Sequence, residues 1–112
     1  MQDHVNESIQ MKLSEAIRKG IEQFPEKAVG VLFENENAAC ALGCAIYGRY
    51  GQANGRDYLP ALIHDYPELM SDAPPNPLFP DVWLLQEVIE KLNDRVFWTR
   101  EQIADWLESK GL

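Results

Sequence analysis

Apolar residues recur at steps of three and four over Ile9, Leu13, Ala16, Ile17, Ile21 and Phe24. That spacing places them on one face of a helix, and Pro25 ends it. Gly20 either weakens the last turn or permits another backbone to come close. A second pattern is Asn37-Ala-Ala-Cys-Ala-Leu-Gly-Cys-Ala-Ile-Tyr-Gly48, with eleven small or apolar residues behind one Asn and no charge. A surface helix shows a polar face, so this one is expected to be buried on most sides and to mark the centre of the fold. Ala41, Gly43, Cys44 and Ala45 are small enough for neighbouring backbones to approach. Asn37 is its expected N-cap, and Gly48 or Gly51 its end. Between the two lies Ala28-Val-Gly-Val-Leu-Phe33, whose Val and Phe suit a short strand but whose length and single Gly leave the choice open.

Tyr50 to Asp57 reads as a polar connector with Asn54-Gly55 as its turn dipeptide. Leu59-Pro60 is expected to open a short helical segment with Leu62, Ile63, Tyr66 and Leu69 facing inward, split or kinked at Pro67. Ser71 to Pro80 carries four prolines (Pro74, Pro75, Pro77, Pro80) and reads as an extended loop, with Leu78 and Phe79 expected to pin it to the core. A fourth helix is expected from about Val82 to Asn93, burying Leu85, Val88, Ile89, Leu92 and Val96. The last helix has the clearest start: Thr99 as N-cap, Gln102 completing a capping box, and a hydrophobic staple between Trp98 and Ile103. Ile103, Trp106 and Leu107 then face inward, and Gly111 ends the helix. The sum is a mainly α fold, a compact bundle of four to five helices, with a short strand or hairpin near residues 28–34 as the open element. At 112 residues it is expected to be a single domain over 1–112, with residues 1–7 as a flexible tail.

Composition adds limits. Hydrophobic residues at 46% and charged residues at 25% are those of a globular chain. No stretch approaches the roughly 18 apolar residues of a membrane span. Met1 to Ser8 holds two acids and no basic residue, unlike a signal peptide. Two cysteines four apart make no disulfide framework. A cytoplasmic protein with reduced thiols is the expectation. The net charge is −8, and from Asp57 to Glu90 there are seven acids (Asp57, Asp65, Glu68, Asp72, Asp81, Glu87, Glu90) and no Lys or Arg. Such a field repels phosphate backbones and so argues against direct nucleic-acid binding. It suits a basic protein partner or a nucleic-acid mimic, and equally the plain role of keeping a small protein soluble.

Candidate chemistry is sparse. Cys40 and Cys44 share a helix face. Zinc needs four ligands, and the only other soft ones are His4, in the tail, and His64, so no metal site is assigned. Two small core residues are the favoured reading of the thiols. His64 and Asp65 point about 100° apart on a helix, so the carboxylate is not expected to orient the imidazole. A Cys40–His64 dyad lacks a third residue and an oxyanion motif. In Leu92-Asn93-Asp94-Arg95, before the last helix, Asn93 and Asp94 suit a helix end, or with Arg100 line a polar groove. The segment from Thr99 to Leu107 superficially resembles one helix of a helix-turn-helix, but Glu101, Asp105 and Glu108 outweigh Arg100 and Lys110 for a major-groove contact. There is no Walker loop, no GxGxxG and no HExxH. The pairs Glu34/Glu36 and Glu87/Glu90 have no catalytic context. No catalytic residue and no cofactor are assigned, and the balance is against an enzyme.

Several blocks together resemble a family of small uncharacterised bacterial proteins: Leu13-Ser-Glu-Ala-Ile-Arg18, Cys40-Ala-Leu-Gly43, Leu92-Asn-Asp94 and Trp98-Thr-Arg-Glu-Gln-Ile-Ala-Asp-Trp106. They cover about a fifth of the chain, in the family's order, and the terminal block is the most specific. Cys44 stands where relatives commonly have Ala, which weakens any shared two-thiol chemistry. Some relatives carry a Cys-Pro-x-Cys pair in the middle region, whereas this chain has prolines and no cysteine between Tyr66 and Val82. The resemblance implies a defined fold and a bacterial or phage origin, and no activity.

Three functions follow as expectations. The first is a small protein-interaction module, taking a basic partner or self-associating, with Tyr47, Tyr50, Tyr58, Phe79, Trp83 and Phe97 as surplus aromatic surface and no membrane role. The second is a small-molecule-binding protein or enzyme with a pocket between the Cys40 helix and the Asn93–Arg100 turn, lined by Cys40, His64, Asn93, Asp94 and Arg100. The third is an acidic mimic of nucleic acid that inhibits a DNA-binding protein, with the carboxylates of residues 57–90 spaced like phosphates.

Overall fold

The computed structural model describes residues 11–74, 76, 78, 79 and 83–112. Ile9, His4, the tail over 1–7, Asp81, three of the loop prolines (Pro75, Pro77, Pro80) and Val82 lie outside the described residues. Helix α1 spans Leu13–Gln23 and buries Leu13, Ser14, Ala16, Ile17 and Gly20, the face expected from the spacing. Ile21 is only partly buried, while Phe24, just past the helix, is 3% exposed.

Strands β1 (Glu26–Lys27), β2 (Phe33–Asn35) and β3 (Ala38–Ala39) form a small sheet in the order β1-β3-β2. β1 runs parallel to β3 and β2 antiparallel to it. Most of the ambiguous Ala28–Phe33 stretch is therefore a loop, and the strands flank it. Ala28 N–H donates to Ala39 O at 3.1 Å and Cys40 N–H to Leu32 O at 3.0 Å, so β3 anchors both ends of the loop.

Helix α2 spans Ala41–Tyr50 and buries seven of its ten residues. Its N-cap is Cys40, whose sulfur accepts from Gly43 N–H at 3.4 Å, and not Asn37, because Ala38 and Ala39 are committed to the sheet. Gly51, at φ 69°, ends it. Its small residues admit two close backbone neighbours, the Leu32 carbonyl at Gly43 and helix α1 at the crossing. A Cβ on Gly20 would collide with the Cys44 carbonyl, and one on Gly48 with the Ala16 carbonyl.

Helix α3 spans Gly55–Asp65. It starts a turn earlier than Leu59-Pro60 suggested, because Asn54 caps it by accepting from Asp57 N–H at 3.1 Å. Pro60 falls in its second turn, and Pro67 opens a separate 3-10 helix, Pro67–Met70. Leu62, Tyr66 and Leu69 are buried, as expected. In the loop that follows, Phe79 packs against the core while Leu78 is exposed. Helix α4 spans Leu85–Asp94 and buries Leu85, Val88, Ile89, Leu92 and Asn93, whereas Val96 lies past its end and is exposed. Helix α5 spans Arg100–Ser109. Its capping box forms as expected, with Gln102 N–H to Thr99 Oγ1 at 3.0 Å and Thr99 N–H to Gln102 Oε1 at 2.8 Å. Ile103, Ala104 and Leu107 enter the core, which all five helices share. No helix among the described residues is long and apolar enough to cross a membrane.

Candidate functional site

Four of the five polar residues picked out in the sequence surround the junction of β3 and α2. Asn93, on the last turn of α4, is 1% exposed. Its Oδ1 accepts from Ala41 N–H at 3.1 Å, and its Nδ2 donates to Ala28 O at 3.0 Å and to Asp94 Oδ1 at 2.6 Å. The first N–H groups of a helix have no intrahelical partner, so Asn93 acts as a cap supplied from another helix. Arg100 is 4% exposed and enters from the start of α5. Its Nη1 donates to Phe24 O at 2.6 Å, Ala39 O at 3.0 Å, Glu26 O at 3.1 Å and Cys44 Sγ at 3.2 Å, and its Nη2 to Pro25 O at 2.9 Å. The carbonyls of Phe24 and Pro25 are at the C-terminal end of α1, which has no basic residue of its own in its last turn. The guanidinium therefore meets the negative end of a helix dipole.

Both thiols are buried and unpaired by disulfide. Burial pushes the Cys44 thiol up to about 11, against the pull of the neighbouring Arg100 charge. Burial also raises Cys40, although Gly43 and Leu42 N–H groups draw it down. A nucleophile needs the opposite shift. Cys40 and Asp94 do share a cleft of about 100 Å³ with Gly30, Val31, Leu32, Leu42 and Glu90. Small-molecule sites run to about 300–1,000 Å³, so this cleft holds a side-chain tip at most. His64 is elsewhere. Its side chain is 88% exposed at the end of α3, with Nδ1 3.5 Å from Asp65 Oδ1. Asp65 also accepts from Tyr50 Oη at 2.5 Å and Arg49 Nη2 at 3.2 Å. Burial works against ionisation of Asp65, but the Tyr50 and His64 hydrogen bonds and the Arg49 charge outweigh it and hold the carboxyl below its usual range. Among the described residues, no three His, Cys, Asp or Glu side chains gather to hold a metal ion.

The aromatic surplus is less exposed than the sequence suggested. Tyr47, Tyr50, Tyr58, Phe79 and Trp83 are half-buried against the core. Phe97 is the exception, at 66% exposure, with Val96 beside it at 38%. Its backbone is left-handed (φ 57°), and it is the single non-glycine in that state among the described residues. The conformation arises because α4 ends in a wide turn, with Val96 N–H on Lys91 O and Trp98 N–H on Leu92 O. Lys27 closes that end: its Nζ donates to Asn93 O at 3.1 Å and Trp98 O at 3.2 Å and lies 5.2 Å from the Phe97 ring centre.

Loop 28–32 runs along the same end of α4, tied by Asn93 at Ala28 and sharing the small cleft with Glu90 and Asp94. It presents Val29 and Val31, about half exposed. On the other side of Glu90 and Asp94 a second cleft, about 170 Å³, is lined by Glu87, Lys91 and Arg95 as well. Burial raises the Glu90 carboxyl, with the nearby Asp94 and Glu87 charges adding to it, against a Gln86 hydrogen bond. The sequence reading missed Val29, Val31 and Glu90 as neighbours, because the loop was a candidate strand. The available signal was Gly30, a break between two apolar residues that a buried strand would not need.

Compared with known proteins, the chain matches no family model, no curated protein and no solved structure.

Proposed function

We propose that this chain is a small protein-interaction module whose contact face is the C-terminal end of α4. The face comprises Phe97 and Val96, Val29 and Val31 of the adjoining loop, and the carboxylates Glu90 and Asp94, with Lys91 and Arg95 beside them. It suits a partner segment that carries an apolar residue and a Lys or Arg. The observation that carries this reading is Phe97. The turn after α4 requires a left-handed residue, and glycine would adopt that conformation at no steric cost, whereas a bulky residue costs about 1–2 kcal/mol. A chain that places Phe there, and leaves two-thirds of it in water, bears a cost that a binding ring would explain. Self-association through the same face would set Glu90 and Asp94 near their own copies and also near Lys91 and Arg95, so a second copy is the other occupant that the experiment distinguishes.

Phe97→Gly separates binding from folding. It removes the ring and its contact with Lys27 but relieves the backbone, so its stability should stay within about 1 kcal/mol of the parent chain. Tagged parent and variant are compared for capture from native lysate at low and moderate salt. The reading expects one stoichiometric partner, held at low salt, released as salt rises, and lost with Phe97→Gly and with Glu90→Gln/Asp94→Asn. Equal capture by parent and Phe97→Gly, or no capture with a monomeric protein, would overturn it.

A further inference from the structure

A larger cleft shares no lining residue with the two clefts beside Glu90 and Asp94. It is an open cleft of about 360 Å³ lined by Phe24, Phe33 and Tyr47, with Gln23, Asn35 and Ala53 beside them and Glu34 and Glu36 completing the lining. The three rings are set at steep angles. Phe24 and Phe33 are 5.4 Å apart at 54°, and Phe24 and Tyr47 5.3 Å apart at 85°. They form a corner and not a stack. Phe24 is almost fully buried, so it supplies the floor, while Phe33 and Tyr47 keep part of their surface accessible. The two glutamates are exposed.

The geometry points to a binding site for an alkylated ammonium group, such as a trimethylammonium head. Aromatic rings carry negative faces that attract a cation, and their strength as a site grows as water is excluded. Phe24 and Phe33 offer no hydrogen-bond acceptor. Against those two rings a primary ammonium or a guanidinium would give up water bonds and depend on the exposed Glu34 and Glu36 to replace them, whereas a fully methylated nitrogen has no N–H to satisfy. Glu34 and Glu36 add the favourable charge, in a chain of net charge −8. The volume is at the lower end of small-molecule sites, which suits a compact head group and not a cofactor. This site is separate from the Phe97 face and does not depend on it.

Choline is titrated into the full chain and followed by proton NMR, with 3,3-dimethylbutan-1-ol as its neutral isostere. Ring currents should move the choline N-methyl signal upfield and saturably, and the isostere should bind about tenfold more weakly or worse. Phe33→Leu keeps an apolar residue and should weaken choline about tenfold. The double variant Glu34→Gln/Glu36→Gln changes two exposed positions, leaves the fold intact, and should weaken choline about threefold to tenfold while leaving the isostere unchanged. A peptide bearing N-trimethyllysine distinguishes the source of the cation. Tighter binding than choline assigns the site to a modified side chain, and weaker binding assigns it to a free molecule. Absence of saturation at millimolar choline, equal binding of the isostere, or indifference to both variants would overturn the proposal.

Discussion

The Arg100 guanidinium lies 3.2 Å from the Cys44 sulfur, inside a ring of backbone carbonyls from Phe24, Pro25, Glu26 and Ala39. One side chain thus fastens the end of α1, the strands and the middle of α2 to α5. Arg100→Met keeps much of the stem's packing but leaves those carbonyls without their donor. It should cost about 2–4 kcal/mol, read as a lowered urea midpoint. Arg100→Lys should recover part of that loss, because an ammonium still supplies three donors.

Asn93 should behave as a structural clasp with the same sensitivity. Asn93→Ala leaves the Ala41 N–H and the Ala28 carbonyl unpaired and should cost about 2–3 kcal/mol. Asn93→Asp keeps an acceptor for Ala41 but places a second carboxylate beside Asp94. Its deficit should shrink as pH falls and the new acid is protonated. Urea titrations at neutral and mildly acid pH separate the two variants.

Neither thiol should react while the chain is folded. Both are buried and both are pushed up, Cys44 to about 11. At pH 8 a chromogenic disulfide reagent should label the protein no faster than it unfolds, and both cysteines at once in denaturant. Prompt labelling of one thiol in the native state would contradict this.

Stability should fall at both extremes of pH through identifiable groups. Asp65 is held below its usual range, so its contribution is present above the unfolded value near 3.9 and is lost as pH falls through the folded one. Asp65→Asn should flatten that acid limb. Burial raises the Tyr66 phenol to about 12, and it donates to Met11 O at 2.8 Å. Its contribution is intact below the unfolded value near 10 and is lost as pH rises through about 12. Tyr66→Phe should flatten the alkaline limb in melting scans.

Periodicity located the helices because their buried faces are long and regular. Leu85, Val88, Ile89 and Leu92 occupy the positions their spacing requires, and the Thr99 and Gln102 side chains carry the start of α5 unaided. The start of α2 was misplaced because its cap is not local. Cys40 is a poor cap by type, and its helix is completed by Asn93, 52 residues away from Ala41. The three strands were similarly illegible, since segments of two or three residues owe their conformation to their neighbours. Of the candidate site residues, Cys40, Asn93, Asp94 and Arg100 meet around one junction, but Asn93 and Arg100 spend their polar atoms on backbone. His64 is exposed at the end of α3. Residue type alone could not tell a polar group that waits for a ligand from one already satisfied. Phe97 was named for its ring, but its strained backbone follows from how α4 ends.

The crossing of α1 and α2 has a mechanical consequence. At Gly20 and Gly48 main chain meets main chain, with no rotamer between them to readjust. Such a joint can neither slide nor roll, so the two helices move as one stiff beam. Any accommodation of a bound partner is then left to segments outside that joint, loop 28–32 and the turn at 95–98. Both carry exposed apolar residues, so the face offered to a partner and the stiff joint are different parts of the molecule.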